Sequence, residues 1–345
     1  MAIPERTVDW LLGKDNPPVR YLTLVNLLRR PAVSKEVRAA GANLMDYEVT
    51  QRILAQGNEF WNDDPKRAYT KYTGKYWQVI FLGQFLADGT HPSIASGVGE
   101  LLDNRSWVWA SGGQCLTANL LGAFMKLGYR EHPAVRAEIE ALAERVVSDG
   151  GLRCSATAYS LLLRCYMAQP KLLLCFTQIP AGRRSAAVNA AVELLEGSLM
   201  ENQVHVYVPR LTAEWHEVLA RQPKKEQLPK GQTVLKWIDE RRTDFRRTRG
   251  TGGTRPKAGW LKFGFPLHYN SDILEAMYAL ALSGTPMSSS LRAPLDAVRA
   301  KMTAENAWVM ENSLNGKMRS DVETKGKPSK WLTYFGHYVL NHFGN

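Results

Sequence analysis

The chain has 345 residues, 45% of them hydrophobic, which is enough to bury a sizeable core as one large domain or two ordinary ones. It holds no run of about 18 or more apolar residues, so a membrane-spanning helix is excluded. Four cysteines are too few for a disulfide scaffold at this length, and a formal charge of +11 favours anionic partners such as phosphate, nucleic acid or acidic lipid. No basic segment leads into an apolar one at the N-terminus, so the expected location is cytoplasmic, with reduced thiols.

In chain order, residues 4–55 read as helices over Pro4–Leu12, Pro18–Arg30 and Ser34–Ala55. Pro17-Pro18 sets one start and Ser34 is an N-cap candidate. Residues 56–75 are a polar, aromatic connection. A pattern recurring about every forty residues follows, a nearly apolar helix and then an amphipathic one. Its clearest copies are Trp77–Asp103 and Cys115–Asp149, each turning at a glycine and restarting at a His-Pro pair (His91-Pro92, His132-Pro133). Apolar helices are expected near Trp77, Cys115, Cys165, Asp272 and Trp331, and amphipathic ones near Pro92, Pro133, Ser185 and Ser290. In Pro133–Val147, Val135, Ile139, Leu142, Ala143 and Val146 form the inward stripe, while Arg136, Glu138, Glu140, Glu144 and Arg145 face water. Ile273–Leu282 carries one charge and no polar face, as an enclosed helix does.

No comparable series of strand-period segments occurs. The expected fold is all-α, an open solenoid or a closed (α/α) toroid, with an apolar inner ring and an amphipathic outer ring. One domain is expected over 1–345, with N-terminal helices in 1–55 and a basic insertion at 221–258.

Several stretches resemble bacterial members of the squalene-cyclase and protein-prenyltransferase repeat superfamily. They are Trp10-Leu-Leu with Pro18–Leu24, Cys115-Leu with Leu127-Gly-Tyr, Asp149–Cys154, Trp260–Pro266 with Ser271–Glu275, and Asn315–Met318 with Lys325–Trp331. The resemblance spans most of the chain outside 221–258. It implies an (α/α) toroid with a central cavity but no single reaction, because that fold hosts cyclases, transferases and non-enzymatic domains. The Asp-x-Asp-Asp motif of class II terpene cyclases is absent, Asn62-Asp63-Asp64 being the nearest approach. Also absent are the thioester motif and the Asp-x-Cys zinc element of the prenyltransferases.

Four groups of residues are candidates for chemistry. Cys115, Cys154 and Cys165 lie at or between starts of inner helices; if those helices are parallel, the thiols converge on one rim. His268 supplies a fourth ligand for a Cys3His zinc site. A continuous helix over 154–165 would instead hold two of the thiols about 16 Å apart and forbid a shared metal. Asp272 and Glu275, at the head of an apolar helix, suit general acid catalysis, and Asp272 equally suits an N-cap. Trp77, Trp107, Tyr166, Tyr269 and Trp331 suit either a cavity lining or plain packing. Arg241, Arg242, Arg246, Arg247 and Arg249 suit phosphate or diphosphate, with interleaved acids weakening a nucleic-acid reading.

Two main readings follow. One is a cavity-based, zinc-dependent lyase, cyclase or transferase acting on a hydrophobic or peptide-like ligand, with zinc activity implied by the resemblance. The other is a non-catalytic binding or scaffold protein holding an anionic partner, nucleic acid included, on its concave surface and basic insertion. A terpene-type cyclase is a third reading, which the missing aspartate motif disfavours.

Overall fold

A computed structural model describes residues 3–57, 67–105, 107, 114–148, 165, 167–207, 209–234, 236–238, 240, 241, 255, 256 and 258–344. The fold is all-α, and the strands among these residues are four two-residue pieces. They pair antiparallel, β1 (Val206–Tyr207) with β2 (Arg255–Pro256) and β3 (Trp308–Val309) with β4 (Pro328–Ser329).

The N-terminal helices are α1 (Glu5–Leu11), α2 (Pro17–Leu22), α3 (Lys35–Ala42) and α4 (Glu48–Leu54). Ser34 caps α3 by accepting from the Val37 amide. The continuous helix expected over Ser34–Ala55 is interrupted by a tight turn at Leu44–Asp46. In the same way, the helix expected over Pro18–Arg30 widens into a π-turn at Thr23–Leu27.

Beyond these the chain alternates between two layers. The enclosed helices are α5 (Lys75–Gln84), α7 (Gln114–Lys126), α9 (Ala168–Phe176), α12 (Ile273–Ser283) and α14 (Lys330–Phe343). The outer ones are α6 (Pro92–Asn104), α8 (Pro133–Ser148), α10 (Ala186–Glu201) and α13 (Arg292–Ala300). A further helix, α11 (Pro209–Ala220), follows α10. Every residue of Lys75–Gly83 and of Ile273–Ala281 is buried, whereas α6, α8, α10 and α13 each bury one stripe. That is the difference between a helix with no polar face and one with a polar face.

Packing runs in series, α5 on α7, α7 on α9, α9 on α12 and α12 on α14. The residues that meet sit at matching heights, Gly83 against Ala123, Gly122 against Cys175 and Tyr278 against Tyr334, as between parallel helices. The Ser271 hydroxyl bonds the Met167 carbonyl at 2.8 Å, which puts the heads of α9 and α12 at one level. One hydrophobic cluster runs from Leu11 to Phe343.

One expected exposure is corrected. Glu138 on α8 is 3% exposed rather than facing water, because Arg105 and Arg145 both reach its carboxylate. The pairing offsets the cost of removing the charge from water.

Candidate functional site

The enclosed helices leave a small pocket of about 40 Å³ between them. Ile80 and Gln84 of α5, Asn119 and Lys126 of α7, Lys171 of α9 and Leu267 of the loop before α12 are among its walls. Small residues (Ala118, Gly122, Ala123) let α7 approach its neighbours closely and keep the pocket narrow. Gln84 ties the loop across the pocket, its amide nitrogen donating to the Leu267 carbonyl at 2.8 Å and its oxygen accepting from the Leu267 amide at 2.9 Å.

Lys171 and Glu275 form an ion pair between α9 and α12, with side chains 0% and 1% exposed. Burial pushes the Glu275 carboxyl up, and the adjacent ammonium pulls it back. Asp272 accepts from the Glu275 amide at 2.8 Å through one oxygen and from the Gly264 amide at 3.0 Å through the other. It is therefore the N-cap of α12 and an anchor for the loop. Burial first, and then Glu275, raises its pKa to about 7. Both carboxylates proposed for proton transfer are thus held by structural partners.

Lys126 differs from these groups. It lines the pocket and is exposed, and desolvation by the protein around it lowers its ammonium pKa to about 8. It has no ion partner among the described residues. The Asn119 amide nitrogen, buried on the same helix face, has no hydrogen-bond partner among the described residues either. The sequence holds a signal for Lys126, since it is the only charged residue in the run Cys115–Leu127.

The aromatic candidates are packed rather than lining open space. Trp77 and Trp107 are fully buried, Trp77 edge-on to Tyr72 and Tyr269, and Trp107 on Phe124 with its ring nitrogen donating to Leu101. Trp331 stacks on Phe265 at 4.2 Å. Tyr269 is half-buried and donates its hydroxyl hydrogen to Tyr69. Tyr166 lies outside the described residues.

The zinc set is not assembled among the described residues, where no three His, Cys, Asp or Glu side chains come together as a metal-holding group. Cys115 is half-buried at the head of α7, while Cys165 is buried in the turn before α9, whose helix begins three residues later than expected. His268 is buried, with Nδ1 3.1 Å from the Pro266 carbonyl oxygen and its ring edge-on to Tyr72. Burial and then Lys171 lower its pKa to about 4. Cys154 lies outside the described residues. No chemistry is assigned through a metal. Of the arginine candidates, Arg241 lies 5.6 Å over the Trp237 ring; Arg242, Arg246, Arg247 and Arg249 lie outside the described residues.

No helix among the described residues is long and apolar enough to cross a membrane. Compared with family models, curated proteins and solved structures, the chain has no match.

Proposed function

We propose that the chain is a cavity-based enzyme of (α/α)-toroid architecture that acts through the Lys126 amine on a small carbonyl compound. The carrying observation is the Lys126 amine itself, which lines the inner pocket with no ion partner among the described residues, while the other lysine there, Lys171, is already neutralised by Glu275. The series of parallel enclosed helices inside an amphipathic layer supports the toroid reading. A pocket of about 40 Å³ has room for two or three water-sized groups, which turns the substrate from a hydrophobic or peptide-like ligand to a small polar one.

The chemistry follows from the groups present. A neutral amine attacks the carbonyl carbon and gives up a proton to water. The carbonyl oxygen then leaves as water, giving an imine. Asn119 lies two turns before Lys126 on α7, about 10 Å along the axis, and a lysine side chain reaching back along its helix closes much of that gap. Asn119 lines the same pocket and is the neighbouring polar side chain for a carbonyl oxygen there once its amide turns towards the opening.

Reaction of the full chain with acetaldehyde and cyanoborohydride, followed by peptide mapping, tests this reading. Lys126 should be alkylated ahead of the exposed Lys225 and Lys325, with a pH midpoint near 8, and Lys126→Met should abolish that adduct in a protein of unchanged circular dichroism. Labelling of Lys126 no faster than of the surface lysines sinks it.

A further inference from the structure

A second cavity lies on the outer layer, between the start of α8 and the turn that leads into α10. It measures about 800 Å³, within the range of pockets that take drug-sized ligands. Four arginines line it, Arg130, Arg136, Arg183 and Arg184, against two acids, Glu131 and Glu140. One arginine is already engaged, Arg183 lying 3.0 Å from Glu131 in an exposed pair. Glu140 is occupied by the Ser185 hydroxyl, which donates to it at 2.6 Å.

The other three arginines have donors to spare. Arg184 uses only Nε, which donates to the Ile179 carbonyl at 2.9 Å, and burial lowers its pKa. Arg130 and Arg136 have no ion partner among the described residues, and the Nε of Arg130 is buried with no acceptor.

Two 16-residue helices also start at this cleft, and their dipoles add to the attraction for an anion. Between the charges lie apolar groups, Ile139, Ile179 and Pro180. Inorganic phosphate would engage the guanidinium forks and leave this floor bare.

We infer that the cleft binds a phosphate ester of nucleotide size, with the phosphates on Arg130, Arg136 and Arg184 and the ring on the apolar floor. Guanidinium groups match phosphate oxygens in pairs, and the mixed lining asks for a ligand with both an anionic and an apolar end. The site is separate from the inner pocket and does not depend on Lys126.

Isothermal titration of the full chain with ADP, and separately with pyrophosphate, at about 0.15 M NaCl tests the inference. One ADP should bind per chain, and pyrophosphate should bind more weakly. Arg130→Gln and Arg136→Gln should each weaken ADP at least about tenfold, with circular dichroism showing the fold retained. Glu131→Gln, an exposed change that releases Arg183, should tighten it. Absence of heat with both probes, or equal ADP affinity in the two glutamine variants, overturns the site. Pyrophosphate binding as tight as ADP overturns the ester assignment, and binding to a long RNA but not to ADP overturns the small-ligand reading.

Discussion

Single charged residues inside the apolar layer carry the sharpest consequences. Lys171 and Glu275 neutralise each other in a place where neither is exposed, so removing one strands the other. Lys171→Met should cost about 3–5 kcal/mol in urea denaturation, and replacing both by leucine should recover most of that loss. Asp272 and His268 should give opposite pH trends. Asp272 titrates at about 7 in the fold and 3.8 in the open chain, so its contribution is full below about 4 and lost as pH rises to about 7. His268 titrates at about 4 in the fold against 6.5, so its contribution is present above about 6.5 and lost as pH falls towards 4. Relative to the parent chain, Asp272→Asn should therefore become more stable, and His268→Gln less stable, as pH rises across this window. Urea midpoints measured from pH 4 to 7 check both, and two parallel profiles would refute the assignment.

At the scale of elements, the contact between α5 and α7 has no room to spare. A Cβ on Gly83 would lie 2.7 Å from the Cα and Cβ of Ala123. Gly83→Ala should push the helices apart and cost about 1–3 kcal/mol, despite alanine being the better helix former. Outer helix α6 offers the contrast, because nothing lies within 4 Å of a Cβ placed on Gly99. There the same substitution meets no clash and should raise stability by about 0.4–1 kcal/mol. Thermal melts of the two variants should move in opposite directions.

For the whole molecule, the aromatic junction beneath the loop before α12 joins the first enclosed helix to the last. Phe265 stacks on Trp331 of α14 and lies 6.1 Å from Phe85, which closes α5, and 6.0 Å from Phe335. Phe265→Ala should cost about 3–5 kcal/mol through the cavity it leaves, read as a lowered thermal midpoint. A loss below about 1 kcal/mol would mean that the two ends of the helix series are not coupled through this ring.

Helix starts and the two-layer alternation were legible in the order of residues. Burial of a helix face imposes a short-range period, and Pro92, Pro133 and the Ser185 cap mark boundaries within a turn or two of where they act. The capping role of Asp272 was legible for the same reason, since its hydrogen bond reaches only three positions along the chain. What Lys171 and Glu275 do for each other was not, because 104 positions separate them. Nor was the narrowness of the inner pocket, the isolation of Lys126, or the gathering of four arginines between α8 and α10. These depend on how far apart packed helices stand and which loop crosses between them, quantities that close packing in three dimensions sets and no local period encodes.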